Sequence, residues 1–312
     1  MKTYAFGADV GGTTVKIGLF TTDGTLLEKW EIPTRTENNG EEIMPDIMES
    51  INSKMAERGL TNDDVQGIGL DVPGPVTREG IVQRCVNLNW GIINVVAEMA
   101  KLTDLPVKVV NDANAAALGE MWQGAAKGHK DVIMITLGTG VGGGIIVNGK
   151  IVNGYHGSGG ASGHMTVFPD EVVRCNCGRC GCVEQYASAT GIVRLARLRL
   201  KKDDTPSALR MLPAVSAKDV FDCAKEGDPV AQEIVAKMGE AMALGLVDAC
   251  VIVDPEVIVV GGGVSRAGEI VIDAIRKPFV EKAFHATTGT KFALAALGND
   301  AGMYGAVHLL LD

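Results

Sequence analysis

Alternating apolar and polar positions at the start of the chain predict a meander of β-strands. Residues 4–8 form a short apolar run that ends at Asp9 and a glycine pair, and residues 15–20 alternate in the same way. The Thr-Asp-Gly segment at residues 22–24 is typical of a hairpin turn. Farther on, apolar side chains at every fourth position predict a helix over residues 41–58.

The same pattern returns in the second half of the chain. Residues 131–136 form an apolar run that enters a glycine-rich turn, residues 144–147 follow as a second run, and Asn148-Gly149 is typical of a hairpin. Elsewhere in both halves of the chain, apolar runs alternate with stretches of helical spacing. They predict strands over residues 67–72, 107–112 and 257–260, and helices over residues 113–120, 217–226 and 229–249.

Charge and hydropathy exclude two classes of partner. The net charge is −9, and no run of basic residues is longer than the pair Lys201-Lys202, so we expect no nucleic-acid partner. No apolar run approaches the roughly 20 residues that cross a bilayer, and Asp9 interrupts the N-terminal run too early for a signal peptide. We therefore expect a cytoplasmic protein without a membrane partner.

Two glycine-rich turns are candidates for binding a polyphosphate. Glycines let backbone N–H groups approach phosphate oxygens, and threonine hydroxyls add donors. Neither turn has the Gly-Lys-Ser/Thr ending of a Walker loop, and neither opens a helix as a dinucleotide site requires. Either turn alone is as often an ordinary hairpin, but the matched pair favours ATP. The candidate residues are Asp9, Gly11, Gly12, Thr13, Thr14 and Lys16 in the first turn and Gly138, Thr139, Gly140 and Gly142 in the second.

Two further features belong to this nucleotide site. Asp9 is placed to hold Mg²⁺ directly or through water, and the alternative is an aspartate that caps the turn. A third glycine cluster follows the strand predicted over residues 257–260. Such clusters are common at strand ends, yet this one is the best candidate for the nucleoside end of ATP. It consists of Gly261, Gly262 and Gly263.

Strands that alternate with helices in both halves predict an α/β fold with one sheet in each half. A chain of 312 residues exceeds what one hydrophobic core supports, so we expect two lobes. A duplicated α/β chain with two facing glycine turns is typical of the actin-like, hexokinase-type ATPase fold. We expect a smaller N-terminal lobe over residues 1–117, completed by a C-terminal helix over residues 299–312, and a larger lobe over residues 118–298.

The Asn111-Asp112 pair is the candidate catalytic centre. It lies at the predicted junction of a buried strand and a helix, and sites in α/β proteins form at the carboxyl ends of strands. Phosphoryl transfer to a hydroxyl needs positioning, charge neutralisation and a base for the departing proton. Asp112 is therefore a candidate general base, and the alternative is that it only caps the helix.

Four cysteines and a histidine are candidates for a structural zinc site that braces a loop. Cys175, Cys177, Cys180 and Cys182 lie within eight residues, and His164 precedes them by eleven. Structural zinc takes four tetrahedral thiolate or imidazole ligands. The spacing is compatible with four cysteines and equally with one histidine and three cysteines. In a chain expected in the cytoplasm, such crowding favours a metal site over disulfides or chance.

A series of short motifs runs through the chain in a fixed order. They are Asp9-Val-Gly-Gly-Thr, Pro73-Gly74-Pro75, Asn87-Leu-Asn-Trp90, Asn111-Asp112, Leu137-Gly-Thr-Gly-Val-Gly-Gly-Gly, Gly163-His164 and a Cys-x-Cys-Gly-x-x-Gly-Cys-x-Glu run at residues 175–184. Together they resemble the ROK-family sugar kinases (repressor, open reading frame, kinase), and most of all the bacterial glucokinases among them. The resemblance covers nearly the whole chain, and the cysteine run is its most specific part.

The resemblance implies an ATP-dependent hexose kinase that acts on the sugar 6-hydroxyl, with glucose as the expected sugar. It implies Asp112 as the general base, two lobes that close over the substrates, and a homodimer. The sugar contacts that it implies are Gly74, Asn87, Asn111, Asp112, His164 and Glu184. The zinc ligands that it implies are His164, Cys175, Cys177 and Cys182, with Cys180 as a bystander and the second ring nitrogen of His164 facing the sugar.

One loop departs from the family pattern. The family motif Glu-x-Gly-His reads Ala161-Ser-Gly-His164 here, so a carboxylate that bonds a sugar hydroxyl is absent. A hydrogen bond to a charged group contributes about 1.5–3 kcal/mol, which corresponds to about 10- to 150-fold in sugar use. Three interpretations follow: a weaker glucokinase, a kinase for another hexose or N-acetylhexosamine that differs near carbon 2, or a rearrangement in which Glu184 or water replaces the missing group.

Two functions of other classes remain as alternatives. Sugar-sensing repressors of the same family carry a helix-turn-helix before the kinase-like region, whereas the first glycine turn begins at residue 9 here, and the net charge is unfavourable for DNA. A non-catalytic sugar-binding regulator is compatible with Ala161 but is disfavoured by Asp112 and the two glycine turns. Turnover of ATP distinguishes both alternatives from a kinase.

Overall fold

Two five-stranded sheets form the framework of the computed structural model, which describes residues 2–311. The strands are β1 (Tyr4–Val10), β2 (Thr14–Thr21), β3 (Leu26–Pro33), β4 (Val65–Val72), β5 (Ile81–Val82), β6 (Ile93–Asn94), β7 (Val107–Asn111), β8 (Val132–Leu137), β9 (Val141–Val147), β10 (Lys150–Ile151), β11 (Val257–Gly261) and β12 (Lys291–Leu294). The helices are α1 (Ile43–Arg58), α2 (Val95–Met99), α3 (Asp112–Gln123), α4 (Glu184–Ala187), α5 (Ala189–Lys202), α6 (Ala217–Lys225), α7 (Pro229–Val253), α8 (Glu269–Lys282) and α9 (Ala301–Leu309).

The two sheets have the same topology. The first has the order β3-β2-β1-β4-β7, and the second has the order β10-β9-β8-β11-β12. In each sheet two antiparallel hairpin pairings are followed by two parallel pairings. The glycine turns after β1 and after β8 therefore occupy equivalent positions, and this repeat confirms the predicted duplicated α/β fold. We call the halves built on these sheets the first and second lobes.

The periodicity of the sequence accounts for the cores of both lobes. In α1, Ile43, Ile47 and Ile51 are at most 1% exposed and pack with the buried side chains of β1 and β2. Burial of each such side chain contributes about 1.5–3 kcal/mol. In the second lobe, α7 is apolar on most of its surface and packs against α4, α5, α6 and α8. None of the described helices combines the length and apolar character needed to cross a membrane.

Helix α9 returns from the second lobe to cover the first sheet. It packs against β1 and β4 and crosses α3 at close range. The crossing depends on glycine, because a Cβ at Gly305 would overlap the carbonyl oxygen of Ala115, and one at Gly119 would overlap that of Ala301. The helix pair α3 and α9 therefore joins the two lobes with backbones in direct contact.

The predicted elements agree with the structure in type and differ at their ends. The helix predicted over residues 41–58 begins at Ile43, and the helix predicted over residues 229–249 extends to Val253. A glycine in the left-handed region, Gly59, ends α1. Helix α5 follows the cysteine-rich segment and was not predicted.

Candidate active site

The first glycine turn connects β1 to β2 and presents its tip to solvent. The N–H of Gly11 donates to the carbonyl oxygen of Thr14 at 3.0 Å, and Gly12 and Thr13 are exposed between them. Asp9 and Lys16 face each other across the two strands, with Lys16 Nζ 3.4 Å from Asp9 Oδ2. Both side chains are about a quarter exposed, at 24% and 27%. The turn thus combines the exposed backbone of Gly12 and Thr13 with one carboxylate and one ammonium group.

The second glycine turn, between β8 and β9, is held from behind by the segment that starts α5. The N–H of Gly138 donates to the carbonyl oxygen of Gly140 at 2.9 Å. Thr190 Oγ1 donates to the carbonyl oxygen of Thr139 at 2.9 Å. Beyond the turn, Gly142 lies so near α3 that a Cβ there would be 3.0 Å from Ala113 Cβ. The second turn is therefore fixed between α5 and the start of α3.

A cavity of about 670 Å³ opens beside the second turn. Its lining includes the turn itself, one face of α6 and the segment after β11. Of the third glycine cluster, Gly263 lines the cavity, Gly261 lies within β11, and Gly262 packs against the backbone of Leu137. Sequence reasoning missed the α6 side chains, because only the fold brings that helix to the cavity. The lining side chains of interest are Thr139, Lys218, Phe221 and Arg266.

Asn111 and Asp112 divide two tasks at the start of α3. Asn111 Oδ1 accepts hydrogen bonds from the N–H groups of Ala113 at 3.0 Å and Asn114 at 3.2 Å, so Asn111 is the helix cap. Its amide nitrogen donates to Asp112 Oδ1 at 2.8 Å and to the carbonyl oxygen of Gly74 at 3.0 Å. Asp112 Oδ1 also accepts the N–H of Ala113 at 2.8 Å, so both neighbours hold the carboxylate in orientation.

The Asp112 carboxyl group is reachable by solvent, yet protein surrounds it on several sides. This burial raises the pKa of Asp112, the N–H of Ala113 opposes the rise, and the charge of Asp9 adds to it. The strand register places Asp9 and Asp112 at the same edge of the first sheet, because Asp9 pairs with Asp71 and the next residue, Val72, pairs with Asn111. A carboxyl group with a raised pKa is suited to accept a proton near neutral pH.

Asp71 is a third carboxyl group in this region, and sequence reasoning missed it. It lies in β4 directly beside Asp9 in the parallel register and is only 1% exposed. Burial raises its pKa well above the ordinary value, and the charges of Asp9 and Asp112 raise it further. The available signal was an aspartate within the apolar run of residues 67–72.

Gly74 and Asn87 border the same region from the first lobe. Gly74 has a φ of 97°, which favours glycine, and a Cβ there would lie 2.7 Å from the carbonyl oxygen of Arg84. Asn87 lies in a 3₁₀ turn, and its carbonyl oxygen would be 3.1 Å from a Cβ on Gly12. The Asn87 turn therefore lies against the first glycine turn.

The cysteine-rich segment brings four ligand atoms together. The ring nitrogen or sulfur atoms of His164, Cys175, Cys177 and Cys182 all lie within 4.8 Å of one another. Cys177 Sγ is 3.6 Å from Cys182 Sγ, and Cys175 Sγ is 4.0 Å from His164 Nδ1. The Sγ of Cys180 lies instead 3.8 Å from the carbonyl oxygen of Val172. Of the two ligand sets left open by the spacing, the geometry favours one histidine with three cysteines.

These atoms fit a tetrahedral zinc ion in both chemistry and spacing. Zinc–sulfur bonds of about 2.3 Å place the sulfur atoms of a tetrahedral site about 3.8 Å apart. The Cys177–Cys182 distance of 3.6 Å is close to that value. Gly178, with a φ of 88°, makes the tight turn between the ligands, since the N–H of Gly178 donates to the carbonyl oxygen of Cys175 at 2.8 Å.

The loop that carries His164 lacks an acidic side chain at its start. Ala161 is exposed and precedes a single 3₁₀ turn that ends at His164. The Ser162 side chain is buried, and its hydroxyl donates to the carbonyl oxygen of Gly160 at 2.8 Å. Glu184 Oε2 accepts a hydrogen bond from the N–H of Val141 at 2.9 Å. The Ser162 hydroxyl and one oxygen of Glu184 are therefore already engaged by backbone groups.

The sequence model of the ROK family matches residues 5–312, which is nearly the whole chain. The chain belongs to the ROK family. A protein named glucokinase from Halalkalibacterium halodurans is 40% identical over 304 residues, which cover 96% of this chain and 92% of that protein. This relative confirms the family resemblance drawn from the motifs.

Solved structures of ROK proteins have the same fold. A ROK glucokinase from Streptomyces griseus, in complex with glucose and AMPPNP, is 35% identical, with a TM-score of 0.76 and 98% of both chains covered. A ROK hexokinase from Thermus thermophilus is 30% identical, with a TM-score of 0.80 and coverage of 98% of this chain and 97% of that chain. This ROK protein therefore has the two-lobed hexokinase-type fold that the sequence predicts.

Proposed function

We propose that this ROK protein is an ATP-dependent hexose kinase that converts glucose to glucose 6-phosphate. One arrangement carries the proposal. The Asp112 carboxyl group lies at the start of α3, in electrostatic range of Asp9 in the first glycine turn. Helix α3 also packs against β9, the strand that follows the second glycine turn. A relative named glucokinase at 40% identity and a ROK glucokinase solved with glucose and AMPPNP support both substrates.

The chemistry needs one base. Asp112 accepts the proton of the sugar 6-hydroxyl while the hydroxyl oxygen attacks the γ-phosphorus of ATP. As the new oxygen–phosphorus bond forms, the bond to the bridging oxygen breaks, and ADP leaves with the bonding electrons. Asn111 orients the base through its 2.8 Å hydrogen bond to Asp112 Oδ1. The raised pKa of Asp112, which burial causes, increases its basicity for this step.

The backbone of the two glycine turns and Lys16 would bind the phosphates, and the cavity beside Gly263 would take the nucleoside. Asp9 would hold Mg²⁺, which neutralises phosphate charge when bound. His164, Cys175 and two further cysteines would hold structural zinc, which orders the loop at the sugar site when bound.

The identity of the sugar depends on residue 161. Ala161 is exposed and carries no carboxylate, so this position has more room and one acceptor fewer than the family glutamate gives. This observation favours a second candidate, a kinase for another hexose or for an N-acetylhexosamine, over a wholly different activity. A catalytically weak sugar-binding regulator is the remaining alternative.

Phosphorylation assays across a panel of sugars test the proposal. The panel contains glucose, mannose, fructose, allose, N-acetylglucosamine and N-acetylmannosamine, each with ATP and Mg²⁺. We expect ADP release that depends on the sugar and is fastest with glucose. A preference for another sugar would support the second candidate. No turnover with any sugar would overturn the kinase proposal, and the sugar-binding regulator would then be the remaining candidate.

We also propose the lobe boundaries expected from the sequence, residues 1–117 and 118–298, with residues 299–312 joined to the first lobe. The packing of α9 on β1 and β4 supports this assignment. Closure of the lobes over the substrates follows from the family resemblance. Homodimer formation and a cytoplasmic location stay predictions.

A further inference from the structure

Asp71 is a buried carboxyl group that the proposed reaction does not use. Its side chain is 1% exposed, and neither of its oxygens has a hydrogen-bond donor among the described residues. Buried polar groups are nearly always paired, and an unpaired buried carboxylate is costly. The residue therefore needs an additional partner that residues 2–311 do not supply.

The surroundings of Asp71 have an excess of negative charge. Asp9 lies beside it on the neighbouring strand, about 4.8 Å away along the sheet, and the charge of Asp112 also reaches it. Lys16 Nζ is 3.4 Å from Asp9 Oδ2, and its charge also reaches Asp71. A divalent cation would bring more positive charge to these three carboxyl groups than one ammonium group does, and it would favour the ionised form of Asp71.

The first turn of α9 closes the other side of Asp71. A Cβ at Gly302 would lie 2.8 Å from Asp71 Oδ2, so only glycine leaves room for the carboxyl group there. Gly302 is the second residue of α9, and the N-terminal end of a helix favours an anion. The absence of a side chain at Gly302 thus leaves the space that the Asp71 carboxyl group occupies.

We propose that Asp71 is a second carboxylate for the divalent cation that accompanies ATP, behind Asp9, and that it accepts hydrogen bonds from water bound to that cation. The proposal rests on the proposed kinase function. Magnesium keeps several of its waters and is held by one or two carboxylates together with substrate phosphates. Those waters supply the O–H donors that the two Asp71 oxygens lack.

Binding of Mn²⁺ in the presence of AMPPNP, followed by electron paramagnetic resonance, tests the proposal without turnover. The variants are Asp71→Asn, which keeps the shape but removes the charge, and Asp248→Asn, which removes an exposed carboxylate from α7. We expect Asp71→Asn to weaken Mn²⁺ binding by about 10- to 100-fold, as loss of outer ligand partners does. We expect Asp248→Asn, and AMPPNP binding without a divalent ion, to be unchanged.

Mn²⁺ binding by Asp71→Asn within about two-fold of the unaltered protein would overturn the proposal and leave the kinase function intact. If the unaltered protein binds neither Mn²⁺ nor AMPPNP, both proposals fail. Crystals of the unaltered chain with Mn²⁺ and AMPPNP give an answer that does not depend on folding of the variant. We expect the anomalous peak of the metal about 4–5 Å from an Asp71 oxygen, and a peak beyond about 7 Å would contradict the proposal.

Discussion

The carboxylate of Glu184 accepts a hydrogen bond from the backbone N–H of Val141 at 2.9 Å, and this bond joins the end of the cysteine-rich segment to the second glycine turn. The other oxygen of Glu184 lies 3.7 Å from Cys175 Sγ, which is one of the four clustered ligand atoms. One side chain therefore connects the candidate zinc site with a candidate phosphate site. We therefore expect the conformation of the cysteine-rich segment and that of the second glycine turn to depend on each other.

We expect Glu184→Ala to raise the KM for ATP as well as the KM for the sugar. The change removes a hydrogen bond to a charged group, which contributes about 1.5–3 kcal/mol, and so loosens the second glycine turn. Glu184→Gln is the matched control, because its amide oxygen can still accept from Val141. Steady-state kinetics with each substrate varied would check this, and an unchanged KM for ATP in Glu184→Ala would contradict it.

We expect Asp112→Asn to lower kcat by about 10²- to 10⁴-fold, which is the usual contribution of a general base. Binding of glucose and AMPPNP should persist, since the amide keeps the shape of the side chain. Calorimetric titration measures that binding apart from turnover. A variant with more than about a tenth of the original kcat would exclude Asp112 as the base.

The pH dependence of this residue has a definite sign. Burial raises the pKa of Asp112 above its ordinary value of 3.8, so kcat should fall on acidification at a higher pH than for an exposed aspartate. The native state holds this proton more tightly than the unfolded state does. At pH values above the native pKa, the ionised Asp112 carboxylate therefore lowers the free energy of unfolding. This destabilisation disappears at pH values below the pKa of Asp112 in the unfolded chain. Asp112→Asn should be the more stable protein at neutral pH and equally stable in strong acid.

We expect the purified protein to contain one zinc ion per chain and Cys177→Ser to lose it. Cys180→Ser is the matched control and should keep the metal, because Cys180 Sγ lies by the carbonyl oxygen of Val172 and outside the ligand cluster. Loss of a structural zinc site should also lower the unfolding temperature. Metal analysis and thermal melting of both variants measure this. Equal zinc loss in the two variants would refute the ligand assignment.

We expect Ala161→Glu to lower the KM for glucose by about 10- to 150-fold, which corresponds to one restored hydrogen bond of about 1.5–3 kcal/mol. Ala161→Gln controls for side-chain size without the charge. If another sugar is preferred by the unaltered protein and Ala161→Glu loses that preference, residue 161 determines specificity. The same KM and the same preference in all three proteins would show that this position does not contact the sugar.

The sequence predicted the fold well because its signals are local. Hairpin turns such as Asn148-Gly149 and strands of alternating residues specify the three-stranded start of each sheet, and the repeat of that start specifies the duplication. Element ends were less accurate, because caps such as the left-handed Asp254, which ends α7 after Val253, decide them. Helix α5 was missed because five basic residues are interspersed among its apolar side chains.

The sequence predicted which types of residue form the site better than it predicted the contacts between them. Spacing left five candidate zinc ligands, and only the folded turn at Gly178 separates Cys180 from the rest. The helix cap is Asn111 and not Asp112, a difference of one residue that decides whether the carboxylate is available. Asp71 and the α6 wall of the nucleotide cavity depend on contacts between distant segments, which no local pattern reports.

The position of α9 has a consequence for synthesis of the protein. The helix that covers β1 and β4 is translated long after both strands. At about 5–20 residues per second, roughly 15–60 s separate the emergence of β1 from that of α9. Throughout that interval Ala5 and Phe20 lack the cover of Met303 and Val307, so the nascent chain offers chaperones an apolar surface that the finished protein conceals.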